Sequence, residues 1–191
     1  MKRTIGLLRI GDIKESVLIK LRKNLEKSFK GFNLLINIIQ EALQLERADY
    51  NLNRRQYDAS KVLAKIIYFN QEKQFFRILG VIDEDIYSEP LNFVFGLAIN
   101  PKIKISKMPV AALISITRLR ESFYRRVENA SLFELRVLKE AIHEIGHTFK
   151  LEHCSKFCIM RFSNSLADTN KKPPKFCDLC QMKLNDFFKN L

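Results

Sequence analysis

No stretch of this 191-residue chain approaches the ~20 consecutive apolar residues that a membrane-spanning helix needs, so no membrane span is expected. Met1-Lys2-Arg3 looks like the charged start of a secretory signal. Arg9 and Asp12 break the apolar stretch behind it too early, which excludes export by that route and points to the cytoplasm. Cysteine is missing from the first 153 residues. The four that exist, Cys154, Cys158, Cys177 and Cys180, sit too close together to staple a whole domain, and in a reducing compartment such a group more often binds metal than forms disulfides. There is no internal repeat or low-complexity tract, and histidine occurs only at His143, His147 and His153.

What is present suffices for a core. The chain is 47% hydrophobic with 15 Phe, enough for one globular domain. Its 33 Lys and Arg against 21 Asp and Glu give a formal net charge of +12. Such a surface attracts acidic partners. Here the basic residues are dispersed instead of forming a block with interleaved aromatics, so nucleic acid is not the expected partner.

Thr4–Ile10 reads as a short buried strand and Lys14–Phe29 as a helix with Val17, Leu18, Leu21 and Leu25 on one face, ended by Gly31. Phe32–Gln40 is apolar on both faces, as a central strand would be. Glu46–Tyr57 reads as irregular. Asp58 or Ser60 can cap a helix striped by Val62, Leu63, Ile66 and Ile67. Strands are expected near Phe75–Ile82, Asn92–Ile99 and Val110–Ile116, and a short helix over Glu121–Glu128. Ser131 and Glu134 form a capping-box pattern for a helix over Leu132–Phe149. The fold class is α/β (α+β): a mixed sheet with helices packed on it. Beyond His153 no strong periodicity is visible, so that segment needs something besides apolar burial to hold it.

The last long helix carries His143-Glu144-Ile145-Gly146-His147. With 3.6 residues per turn, positions four apart point within about 40° of each other, and Glu144 lies near the same face. Two imidazoles suit zinc, and a carboxylate beside them can relay a proton from a water to a leaving amine. His153 reaches them as third ligand only if the helix stops before it and the chain reverses. Gly146 costs roughly 1 kcal/mol inside a helix relative to Ala, either for close backbone approach or merely as a tolerated residue.

The cysteines follow the pattern Cys154, three residues, Cys158, eighteen residues, Cys177, two residues, Cys180. Such paired short spacings are typical of a structural four-thiolate zinc site. Two disulfides, a redox Cys177–Cys180 pair, or recruitment of Cys154 to the histidines are the alternatives.

The string His143-Glu144-Ile145-Gly146-His147, His153-Cys154, Cys158-Ile159-Met160 and Cys177-Asp178-Leu179-Cys180 resembles the archaemetzincins, a branch of the metzincin zinc metallopeptidases. Arg54-Arg55-Gln56-Tyr57, Asn92-Phe93-Val94-Phe95-Gly96 and Arg161-Phe162-Ser163-Asn164-Ser165 also look like segments of that family, so the likeness spans nearly the whole chain. The resemblance implies a metzincin-like twisted mixed sheet over an active-site helix, with a small C-terminal zinc-bound subdomain. It implies a catalytic zinc on His143, His147 and His153, Glu144 as general base, a second zinc on Cys154, Cys158, Cys177 and Cys180, and Met160 as the Met-turn residue beneath the histidines. The strand with Phe93 and Phe95 would form the upper rim of the cleft. The clan has Gly where this chain has Lys150, which puts a side chain at a turn that favours none. With no segment before the first strand to block the site, cysteine-switch latency is not expected.

The reading is therefore a zinc metallopeptidase, of endopeptidase or aminopeptidase type, acting on a peptide or protein as a monomer. Its N-terminal subdomain would span 1–153 and its C-terminal subdomain 154–191 of one catalytic domain. The alternative is a non-catalytic zinc module whose Lys171, Lys172 and Lys175 bind nucleic acid.

Overall fold

Strand β1 (Arg3–Ile10) carries apolar side chains on both faces, Ile5 and Leu7 on one and Leu8 and Ile10 on the other, so it has to be covered on both. In the computed structural model, which describes residues 3–100 and 109–191, it lies inside a five-stranded sheet. The elements that follow are α1 (Glu15–Ser28), β2 (Leu34–Leu43), β3 (Tyr50–Asn51), β4 (Gln56–Asp58), α2 (Ala59–Lys73), β5 (Arg77–Ile82), β6 (Ile86–Tyr87), β7 (Gly96–Ala98) and β8 (Ala111–Ser115). Three helices complete the chain: α3 (Ala130–Thr148), α4 (Leu166–Lys171) and α5 (Asp178–Lys189).

The sheet order is β2-β1-β5-β8-β7, parallel except for β7, which runs antiparallel to β8. Alternation along its strands builds two cores. Ile5, Leu7, Leu79, Val81, Ala112 and Ile114 face α1 and α3, whereas Leu8, Ile10, Ile78, Ile82, Ala111 and Leu113 face α2. No described helix is long and apolar enough to cross a membrane.

Several expectations need correction. Phe32–Gln40 is not a central strand: β2 is an edge, with only Ile36 and Ile39 buried along it and Leu35 exposed. The segment read as irregular at Glu46–Tyr57 supplies β3 and β4, which join β6 in a small second sheet. The helix expected over Glu121–Glu128 is only a 3-10 turn at Ser122–Tyr124. Arg125 breaks it with φ +57°, while Glu121 is drawn into ion pairs with Arg126 and Arg136. Beyond Cys177 lies α5, whose Cys180, Leu184, Phe187 and Phe188 recur at i, i+4, i+7 and i+8. The two phenylalanines pack on Phe149 at centroid distances of 5.3 and 5.0 Å, so apolar burial does contribute to this segment.

The start of α3 also differs from the expected capping box. Asn129 is the N-cap, its side-chain oxygen accepting from Leu132 N–H at 2.9 Å, and Ser131 already lies inside the first turn. At the other end, Lys150 N–H donates to His147 O (3.0 Å) and Leu151 N–H to Gly146 O (3.1 Å). That pair of bonds ends a helix through a left-handed residue, and Lys150 has φ +67°. The position where the resemblance implies glycine is thus left-handed here with a Cβ present.

Two outcomes follow for thermal and chemical unfolding. Asn129→Ala should cost about 1 kcal/mol, as loss of a cap does, and Ser131→Ala only a few tenths. Lys150→Gly should stabilise by about 0.5 to 1 kcal/mol, because relief of a left-handed Cβ exceeds the entropy that glycine adds to the unfolded chain. A lower melting temperature for Lys150→Gly would show that the lysine side chain contributes more than its backbone costs.

Candidate active site

His143 and His147 are one turn apart on α3, and each is held by a backbone carbonyl: His143 Nδ1 lies 2.9 Å from Ile159 O and His147 Nδ1 2.8 Å from Leu151 O. A carbonyl only accepts, so each Nδ1 carries the proton and each Nε2 turns a lone pair outward. Those two Nε2 atoms stand 3.1 Å apart. Facing lone pairs at that range repel unless a cation lies between them. Nitrogen ligands ~2.05 Å from a tetrahedral zinc are about 3.3 Å from one another. The reversal at Lys150 brings in His153, and the donor atoms of the three histidines all lie within 4.8 Å of one another. The structure thus brings together the three histidines singled out in the sequence, and they fit a zinc ion.

Burial keeps the imidazoles uncharged. It holds His143 well below its ordinary value, takes His147 down to about 4 and lowers His153 to a lesser degree, with the Lys172 ammonium acting in the same direction on each. The opposite applies to Glu144. Burial, reinforced by the carboxylate of Glu140 one turn earlier and opposed by Lys172, pushes it up to about 8 in the metal-free chain.

Glu140 and Lys172 form a pair that sequence reasoning missed. Both are 2% exposed, with Lys172 Nζ 3.0 Å from Glu140 Oε1. The approach is too oblique for a directed hydrogen bond, so the contact is an ion pair. The Thr169 hydroxyl donates to the same Glu140 oxygen at 2.8 Å, and Lys139 Nζ donates to Thr169 O and Asn170 O. Arg136, Lys139 and Glu140, on the same side of the helix as His143 and His147, were the available signal, since charged residues that share a face with a buried site bury only when paired. Lys172, offered in the sequence as part of a basic surface, is not on the surface.

Met160 is fully buried and abuts the helix where Gly146 has no side chain. An ideal Cβ on Gly146 would lie 2.6 Å from Met160 Sδ. Between the two readings of Gly146, close approach is therefore the one observed, and the approaching group is Met160. Its segment is tied down from both ends: Cys154 N–H donates to Met160 O at 2.9 Å, and Ile159 N–H to Lys175 O at 2.9 Å.

The four cysteines also converge, their sulfurs within 4.8 Å of one another. Cys154 Sγ and Cys177 Sγ are 3.8 Å apart, far beyond the ~2.05 Å of a disulfide and equal to the ~3.8 Å edge of a tetrahedron of sulfurs 2.3 Å from zinc. The N–H groups of Met160 and Cys177 point at Cys158 Sγ, at 3.5 and 3.3 Å, as they would at a thiolate. These thiols fit a second zinc, and Cys154 belongs to this cluster and not to the histidines.

A cleft of about 450 Å³ opens over His143, Glu144, His147 and His153. β7 and the residues before it form one wall, with Phe93 and Phe95 in edge-to-face contact at 5.2 Å. The other wall includes Phe162, whose ring stands edge-to-face to His153 at 5.0 Å.

The zinc-fitting histidine triad, with a buried glutamate at its side beneath a cleft bounded by an edge strand, can be set beside proteins similar to this chain. The family model for peptidase family M54 matches residues 8–186. The chain is 35% identical to the archaemetzincin of Pyrococcus furiosus over 97% of its own length and 94% of that protein's, and 38% identical to the archaemetzincin of Saccharolobus solfataricus over 94% and 91%. Among solved structures, archaemetzincin from Archaeoglobus fulgidus superposes with a TM-score of 0.77 at 33% identity, covering 94% of this chain and 99% of that one. Archaemetzincin from Methanopyrus kandleri gives 0.81 at 28% identity, covering 98% and 97%. Nothing in these likenesses supports a nucleic-acid-binding module. The chain belongs to peptidase family M54, the archaemetzincins, and is a zinc metallopeptidase.

Proposed function

We propose that peptide hydrolysis takes place over His143, His147 and His153 as ligands of one zinc, with Glu144 as general base, and that Cys154, Cys158, Cys177 and Cys180 hold a second, structural zinc. The observation that carries this reading is the pair of Nε2 lone pairs 3.1 Å apart, each imposed by a carbonyl behind its ring. When bound, zinc supplies a Lewis acid that polarises the scissile carbonyl and acidifies water. The chain's own residues do the rest.

Glu144 sits beside His143 at the cleft, where its carboxylate takes the proton of the attacking water and delivers it to the leaving amine nitrogen. His143 and His147 keep a single tautomer throughout because their Nδ1–H groups go on donating to Ile159 O and Leu151 O. Met160, packed into the space that Gly146 leaves, forms the apolar floor under the triad. β7, last in the sheet, offers an edge to which an extended peptide adds as another strand between the aromatic walls. Residues 154–191 form a subdomain of the same catalytic domain, closed on itself by the cysteine cluster and packed on the active-site helix through Thr169 on Glu140 and Phe187 and Phe188 on Phe149. The reading extends to a monomer in the cytoplasm, whose reducing conditions suit thiols held 3.8 Å apart.

Elemental analysis of the full chain should give two zincs, and a quenched peptide library should be hydrolysed. Glu144→Gln should retain both metals and lose roughly 10²- to 10⁴-fold in kcat, the range of a general base. One zinc per chain, or hydrolysis that survives the substitution, would overturn the assignment.

Metal-stripped protein gives a second test through pH. The histidine pKa values are depressed, so their contribution to stability is present above the ordinary imidazole value and is lost as pH falls, through about 4 for His147. The Glu144 value is raised, so its contribution is present below the ordinary carboxylate value and is lost as pH rises through about 8. Melting temperatures between pH 5 and 9 should therefore decline on the alkaline side for the stripped wild type and level off there for stripped Glu144→Gln. A persisting alkaline decline in the variant would assign that limb to another group.

A further inference from the structure

β7 is hydrogen-bonded to β8 with Gly96 opposite Ile114, Leu97 opposite Leu113 and Ala98 opposite Ala112. Gly96 does not have a positive φ, so its backbone would admit any residue. The space above it would not. An ideal Cβ built there would lie 2.5 Å from Glu144 Cγ, 2.7 Å from Glu144 Oε1 and 2.8 Å from Glu144 Cδ, and these are its three nearest atoms. The other sheet glycines meet something different: at Gly6 the nearest atom is Ile39 Cδ1, and at Gly80 Ile66 Cδ1 and Ile10 Cδ1. At those positions packing is at stake. At Gly96 the atoms in the way belong to the carboxylate that handles the proton.

We propose that Gly96 is a positioning residue of the hydrolytic reaction, whose bare α-carbon is the seat on which the Glu144 carboxylate rests. The inference depends on the reading of Glu144 as general base. What a methyl group at this position would displace can be decided from the surroundings. The strand is held by its ladder to β8 and by Ser115 N–H donating to Phe95 O at 2.8 Å. The helix is held by the imidazole bonds to Ile159 O and Leu151 O and by Met160 against Gly146. The Glu144 side chain turns on three single bonds and is the softest element at the contact. The clash is relieved by swinging the carboxylate off its seat, which leaves the fold and the metal ligands in place.

Gly96→Ala in the zinc-loaded full chain should therefore lose roughly 100-fold in kcat, the cost of misplacing a reacting group by about 1 Å, while KM for a quenched peptide changes by less than about threefold. Zinc content should match the wild type. Retention of kcat within about threefold, or a loss confined to KM, would overturn the proposal. If Gly96→Ala unfolds markedly earlier than the wild type, the same substitution in a Glu144→Ala background decides: recovery of the melting temperature supports the steric coupling, and an equal loss in both backgrounds overturns it. Failure of this inference is separable from failure of the reading beneath it. An active Glu144→Gln removes the general base, whereas an inactive Glu144→Gln beside a fully active Gly96→Ala removes only the role of Gly96.

Discussion

Two hydrogen bonds from imidazole Nδ1 to main-chain oxygen, His143 to Ile159 and His147 to Leu151, are the constraint on which the rest of the molecule turns. They choose the tautomer, and so decide which nitrogens face the cleft. They also join the active-site helix to the chain that follows it. The acceptors lie 16 and 4 residues downstream, so they can be in place only if the helix stops promptly and the chain doubles back. The left-handed Lys150 performs that stop, and the fit of Met160 into the gap at Gly146 holds the returning segment against the helix.

The other long side of α3 is held by charge instead of by apolar packing. Arg136 reaches Leu119 O, Asn170 Oδ1 and Glu121, Lys139 reaches two carbonyls of α4, and Glu140 meets Thr169 and Lys172. Removing one partner from such a buried set leaves an uncompensated charge, which is far costlier than never having placed it there. The result is directional: α4 can sit against α3 in one register only, and the cleft wall at Phe162 leads directly into it. Precision at the site is thus supplied from beneath the helix by polar groups and from its end by a turn.

The parts legible in the sequence are those set by local pattern. The continuous apolar run of β1 and the stripe of α2 stand where local pattern puts them, and the spacings of His143, His147 and the cysteines are fulfilled in space. What escaped depends on long-range partners. Phe32–Gln40 looks central by composition, yet strand order depends on which neighbour binds, and β2 found only one. Glu121 reads as a helix residue until Arg126 and Arg136 claim its carboxylate. Lys172 looks like surface until Glu140, 32 positions earlier, is folded beside it. The α5 stripe was readable, but one of its members is Cys180, a residue that serves the sulfur cluster and the core at once. Gly96 is unreadable in principle from its neighbours in the chain, since what it avoids belongs to another element.

The adjacency of His153 and Cys154 has a thermodynamic consequence. On the proposed assignment, consecutive residues point into different clusters and share one peptide unit, itself pinned by the bond from Cys154 N–H to Met160 O. Filling the thiolate cluster removes backbone freedom that the histidine cluster would otherwise have to remove for itself. By linkage the favour is returned by the same factor. The affinity of either cluster for metal is then a property of the occupancy of the other, and depletion of one ion loosens its neighbour.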